Sequence, residues 1–160
     1  MRLSVAALAW LAVVSMTNGQ EATAWTSGPY EGFFRAVNKA PTGEASFICK
    51  DGRFSVSYSV SLQELPPSLE GGLTAGVGLD VDGGDTPLKV QNLELVGYAS
   101  GAVSFGGQRA LDWARASIAA TKNIDFFLLD GADQPSNLSS YGVDGAAESI
   151  TAALKQCGQE

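Results

Sequence analysis

The sequence predicts an α+β domain, mainly antiparallel β-sheet in a sandwich-like body, with a helix near 108–121 and a C-terminal helix near 144–157. Three observations carry this expectation. Phe54, Val56, Tyr58, Val60 and Leu62 alternate with Ser55, Ser57, Ser59 and Ser61, the period-two pattern of a half-buried strand with a serine-lined solvent face. Asp51-Gly52 separates that run from Phe47 and Cys49, as a two-residue hairpin turn would. The strongest helical spacing comes late in the chain, so the helices are segregated from most strands rather than alternating with them.

The elements follow in order. Arg2, the apolar run Val5 to Val14 and the small residues of Ala22-Thr23-Ala24 read as a signal peptide over 1–24. The apolar run is too short to span a bilayer, which needs ~20 residues. Cleavage is expected at or near Trp25, with an earlier cut after Gly19 as the alternative. Residues 25–43 form an N-terminal extension to a single domain over 44–160. In it, Tyr30, Phe33, Phe34 and Val37 fall at i, i+3, i+4 and i+7 behind Pro29, which predicts a short helix with an aromatic face. A lid packed on the core is favoured over a docking stripe, because a membrane-surface helix carries a more basic polar face than Arg35 and Lys39 supply.

Strands are expected beyond the first hairpin. Pro66-Pro67 interrupts the alternation, and Leu73, Ala75, Val77 and Leu79 resume it as far as Asp80. Asp82-Gly83-Gly84-Asp85 is a turn before a strand over Leu88 to Tyr98, and Ser100-Gly101 turns into Ala102 to Phe105. Leu111, Ala114 and Ile118, flanked by Ala110, Trp113 and Ser117, give the helix starting near Gln108. Asn123 to Leu129 is a short apolar strand, Gly131 to Asn137 a loop and Leu138 to Val143 the last strand. Asp144 then reads as an N-cap, with Ala147, Ile150, Leu154 and Cys157 forming the buried stripe of the final helix.

Composition bounds the function. The chain has 160 residues, 45% hydrophobic and 17% charged, and contains no histidine, which removes Ser-His-Asp and Cys-His nucleophile pairs and histidine-ligated metals. Its net charge of −7, without a basic run, gives no electrostatic reason to bind nucleic acid. After leader removal no segment is apolar enough to cross a membrane, and no cofactor is implied. Cys49 and Cys157 are an even pair in a chain read as periplasmic or secreted, so a disulfide is expected. Closing a ~100-residue loop stabilises by at most about 4.7 kcal/mol in the chain-entropy account. Cys157 shares the buried stripe of the last helix, and Cys49 shares a strand face with Phe47, so a strand-to-helix bridge is geometrically natural.

Few residues offer chemistry. Asp80, Asp82 and Asp85 present three carboxylates and two glycines, a calcium-like spacing, though an EF-hand would need glutamate where Gln91 stands. A solvated hairpin turn explains the same residues. No pair of carboxylates is singled out for acid–base work, and Ser100 has neither a base partner nor a nucleophile elbow.

Phe47-Ile48-Cys49 opening the strands, the late helix–strand–strand–helix order and a terminal Cys157 resemble small bacterial periplasmic proteins of the invasion-associated locus B type. The chain is also similar to type VI secretion accessory proteins of the same layout. This resemblance covers roughly 47–157 and implies a sandwich-like body whose first cysteine pairs with its last. It carries over no catalytic residues, and the stretch 25–43 departs from the short entry of those families. Phe47-Ile48-Cys49, Phe54 to Tyr58 and Ser100-Gly101 to Phe105 also resemble periplasmic lysozyme inhibitors, which are shorter and lack the last helix.

The leading expectation is therefore a non-enzymatic exported domain binding an unidentified protein or cell-envelope component, with Ser100, Gly101, Phe105, Phe33 and Phe34 as candidate contact residues. An inhibitor of a cell-wall hydrolase using the Ser100-Gly101 loop is the alternative. A metal-binding protein built on the acidic cluster is a third.

Overall fold

The computed structural model describes residues 23–60, 76–91, 102–130, 132 and 134–159. Residues 1–22 of the expected leader and the Ser100-Gly101 turn lie outside the described residues. Nine strands and two helices are described: β1 (Thr26–Tyr30), β2 (Phe33–Ala40), β3 (Gly43–Lys50), β4 (Arg53–Val60), β5 (Gly76–Val81), β6 (Leu88–Gln91), β7 (Ala102–Gly106), α1 (Gln108–Ala119), β8 (Asn123–Leu129), β9 (Pro135–Gly142) and α2 (Ala146–Gln156). They form one sheet in the order β1-β2-β3-β4-β7 and a second in the order β6-β5-β8-β9. Every described strand pairing is antiparallel.

The helix expected over the aromatic stretch is a β-hairpin instead. Tyr30 pairs with Phe33, and Glu31 and Gly32 between them have φ of 44° and 87°. Two consecutive left-handed residues make the tight turn whose twist suits a two-residue hairpin, and glycine takes the second position without a Cβ penalty. The helical spacing of Tyr30, Phe33, Phe34 and Val37 is overridden by pairing. β2 hydrogen-bonds to β1 on one side and β3 on the other, and its buried residues Ala36 and Asn38 fall at period two. Residues 26–40 are thus integral to the larger sheet.

The serine alternation behaves as its chemistry requires. Phe54, Val56, Tyr58 and Val60 are buried, and the serines between them are half-exposed. The register pairs Phe47 with Val56 and Cys49 with Phe54, so Ala45, Phe47 and Cys49 share that buried face. Asp51 and Gly52, at φ of 51° and 72°, form the expected turn.

The second sheet meets this face through Phe126 on β8, 6.3 Å from Phe47 and 5.5 Å from Tyr58 between ring centroids. A hydrogen bond of 2.6 Å joins the Tyr58 hydroxyl to the Ser139 hydroxyl on β9. Both helices close the remaining core: α1 packs on β4 and β7, α2 on β1, β2 and β3, and the helices pack on each other. Trp113 of α1 reaches both sheets, with its ring 4.6 Å from Phe105 and 5.7 Å from Phe126. Trp25 ties the N-terminal end to the β9–α2 junction, donating its backbone N–H to Asp144 O and its indole N–H to Gly142 O, both at 2.9 Å.

Several boundaries and faces shift. Of the strand expected from Leu73 to Asp80, the part from Gly76 is described, running on to Val81, and 73–75 lie outside the described residues. Of the strand expected over Leu88 to Tyr98 only Leu88–Gln91 is described, and 92–98 lie outside the described residues. The last strand starts at Pro135, inside the expected loop. Asp144 does not cap α2; Gly145 does, at φ 72°, and a Cβ there would stand 2.7 Å from Trp25 O. Helix α2 buries Ala146, Ser149, Ile150 and Ala153, so Ala147 is exposed and Leu154 half-buried. The buried face is thus shifted from the expected Ala147–Leu154 stripe toward Ala146 and Ala153, small residues that allow close packing on the sheet. In α1 the face likewise centres on Ala110, Trp113, Ala114 and Ser117, with Leu111 and Ile118 at its margins.

Cys49 and Cys157 form the expected disulfide, with a Cα–Cα distance of 5.5 Å across 108 positions of chain. Replacing both cysteines by alanine is expected to lower stability by about 2–5 kcal/mol in urea denaturation, the usual cost in a small disulfide-bonded domain. Ile150→Asp places a carboxylate with no partner in the core and is expected to prevent stable folding, whereas Thr151→Asp, on the exposed side, changes stability by no more than ~0.5 kcal/mol. Equal urea midpoints for these two variants would contradict the packing of α2.

Candidate functional site

The concave surfaces of interest lie at one end of the larger sheet, around the tip of the β3–β4 hairpin. A cleft of about 730 Å³ separates that tip from the start of α1 and is lined by Lys50, Arg53, Phe54, Gly107, Gln108 and Leu111 among others. A second cleft of about 530 Å³ lies between the same tip and the β1–β2 end, where Phe33, Phe34, Cys49 and Gln156 contribute. Asp51 and Gly52 belong to both.

Local sequence positions each wall. The two-residue turn makes Lys50 and Arg53 cross-strand partners, so both cations leave the hairpin on the same side. Neither has an ion-pair partner among the described residues. Arg35 and Lys39 share Glu44 at 3.1 and 3.0 Å and Arg115 meets Asp112 at 3.4 Å, while Arg109, Lys122 and Lys155 likewise have no ion pair among the described residues. Opposite stands the first turn of α1, entered through Gly107 at φ 71°, with no side-chain cap and no acidic residue. Phe54 and Leu111 supply an apolar floor. The disulfide stiffens the arrangement, because Cys49 lies just before the tip and Cys157 just after α2, and Gln159, two residues beyond Cys157, also lines the larger cleft.

The expected contact residues divide. Phe33 and Phe34 line the smaller cleft, and Phe33 packs edge-on against Tyr30 at 5.4 Å, where Arg35 lies 3.8 Å over the tyrosine ring. Phe105 is half-buried and held against Trp113, so it serves the core. Ser100 and Gly101 lie outside the described residues. The sequence alone offers Gln108 and Leu111 only as helix residues, and it does not point to Lys50 or Arg53. The only signal for the latter two is a cation on each side of Asp51-Gly52.

The acidic group is organised by backbone amides. Asp82, at φ 59° in the turn after β5, accepts from Thr121 N–H at 3.0 and 2.9 Å, Lys122 N–H at 2.6 Å, Asn123 N–H at 3.2 Å and the Thr121 hydroxyl at 2.9 Å. Its own N–H donates to Asn123 O at 3.0 Å. Asp80 accepts from Gly84 N–H at 2.8 Å and stands across the strand pair from Asp125. Asp85 is exposed. Among the described residues no three His, Cys, Asp or Glu side chains are arranged to hold a metal ion. Asp82 acts instead as a latch between the β5–β6 turn and the α1–β8 junction. Among the remaining titratable groups, Tyr141 is pushed well above the usual phenol range by burial, and it lines neither cleft.

The geometry defines a class at the level of fold: a two-sheet α+β domain closed by a strand-to-helix disulfide. No family model matches the chain, and no curated protein matches it. Among solved structures it is similar to the crystal structure of invasion associated protein B from Bartonella henselae, at 14% identity and a TM-score of 0.52, over 84% of this chain and 94% of that one. At that identity the likeness is one of fold, and it agrees with the locus B-like layout read from the sequence.

The Asp82 latch has a pH signature. Its carboxyl is lowered from 3.8 to about 2, first by the Thr121 N–H, against partial dehydration, and then by the Lys122, Thr121 hydroxyl and Asn123 donors. A depressed carboxyl contributes stability above its unfolded value and loses it as pH falls through its folded value. The melting-temperature gap between the protein and Asp82→Asn is therefore expected to be constant above pH ~5 and to close between pH ~4 and ~2. A gap independent of pH over that window would show that the carboxylate charge does not hold the junction.

Proposed function

We propose that this is an exported, non-enzymatic domain that binds a protein or cell-envelope component through the end of the larger sheet bearing the two clefts. The observation that carries the reading is the placement of the disulfide: it ties the β3–β4 hairpin to the end of α2, and both contribute to the clefts. A surface held in one shape before its partner arrives loses less conformational entropy on association. Export is supported by the leader read over 1–24 and by the disulfide itself, which persists in oxidising compartments. No described helix is long and apolar enough to cross a membrane. The larger cleft is lined by two cations, one carboxylate, an amide-rich backbone and an apolar floor, a set suited to holding a partner. Nucleophilic catalysis would need an activating base beside Ser55, and the titratable groups in the lining are Asp51, Lys50 and Arg53.

Site-specific photocrosslinking in the source cell tests this. Gln108→p-benzoylphenylalanine, on the rim of the larger cleft, is expected to give a discrete ultraviolet-dependent adduct, and the same residue at exposed Asp85 none. Identical adducts from both positions, or none from position 108, would overturn the assignment of the binding face.

A further inference from the structure

We infer that the larger cleft receives an acidic segment of a partner protein, with a carboxylate set between Lys50, Arg53 and the entry of α1; this rests on the binding reading above and names the chemistry of the partner. The first argument is charge complementarity. The chain carries a net charge of −7, yet Lys50 and Arg53, cross-strand partners, both line one concavity, and neither has an ion-pair partner among the described residues, a state they share with Arg109, Lys122 and Lys155. Unpaired cations lining one cleft, as opposed to scattered over a surface, focus the local potential and favour an anionic guest. An arginine there also offers the paired donors that match a carboxylate.

The second argument is the opposite wall. Gly107 leads into α1 with its backbone approachable, since a Cβ at that position would meet nothing within 4 Å. Ala110 N–H already donates to Gly107 O at 3.1 Å, so only the N–H groups ahead of it can add donors to a guest selected by the two cations. The third argument is size and polarity. An open cleft of about 730 Å³ has room for several residues of a peptide, well beyond one oxyanion. Phe54 and Leu111 line it as well, so the segment that fits pairs an acidic side chain with an apolar neighbour. Asp51 is in the lining too and disfavours a carboxylate placed beside it at the hairpin tip.

The test uses the oxidised protein labelled with ¹⁵N and three probes at matched ionic strength: an acetylated, amidated pentapeptide alternating Glu and Leu, its Gln-for-Glu counterpart, and inorganic phosphate. The Glu peptide is expected to shift the amides of Lys50 to Arg53 and of Gly107 and Gln108 saturably, at least tenfold more tightly than the Gln peptide. The double variant Lys50→Gln, Arg53→Gln changes two exposed side chains, so it should melt with the unmodified protein and bind the Glu peptide at least tenfold more weakly. Equal binding of the two peptides, equal binding by the double variant, or saturation of the same amides by phosphate as tightly as by the Glu peptide would each overturn the inference. If none of these amides moves while the position-108 crosslink persists in cells, the binding reading stands and the acidic segment falls; if the crosslink is also absent, both fall.

Discussion

The ring of Phe126 is the contact on which the two sheets and the first helix converge. It lies within 6.3 Å, between centroids, of Phe47, Tyr58, Trp113 and Tyr141, which come from β3, β4, α1 and β9. Three of these contacts are edge-to-face or nearly so, the arrangement that opposes a ring's positive edge to its neighbour's negative face. Trp25 extends the cluster to Phe47 and Tyr141, which draws the N-terminal strand and the β9–α2 junction onto the same core. A sheet with one serine face and one aromatic face has to bury the aromatic one, and this cluster is where it does so.

A covalent tie and a hydrogen-bonded one then secure what the aromatic cluster leaves at its margins. The disulfide holds the end of α2 against β3, and the Asp82 carboxylate holds the α1–β8 junction against the turn after β5. They differ in kind. The disulfide acts chiefly by restricting the unfolded chain, while Asp82 satisfies amides that the ends of two elements leave unpaired. The clefts form beside the disulfide, at the end of the larger sheet where hairpin tips and helix ends meet. That is where side chains leave regular structure while their backbones remain fixed.

The fold-level likeness to invasion associated protein B fits this picture, because it spans nearly the whole of that chain at 14% identity. Similar layer order is attainable with largely different side chains when the pattern of buried and exposed positions is kept. Binding chemistry does not travel with such a pattern. It resides here in particular residues at the hairpin tip and helix start, and the argument for a partner is made from those residues.

Periodicity and turn chemistry determined much of this protein before any tertiary contact was known. The serine alternation of β4, the Asp51-Gly52 turn, the two late helices and the pairing of the only two cysteines follow from local sterics, solvent preference and compartment, which act over a few residues or over the whole chain. Tertiary structure decided the rest. The stretch around Phe33 has a helix-like spacing and becomes a strand because β1 and β3 satisfy its backbone on both sides, a gain that neither neighbour announces in sequence. Asp82 has the composition of a metal ligand and becomes a backbone latch because three amides some forty residues away are brought to it. Lys50 and Arg53 look like ordinary turn-flanking cations, and they line a cleft only because α1 begins opposite them. In each case the deciding partner is distant along the chain, so the residue's role depends on a contact that local pattern does not encode.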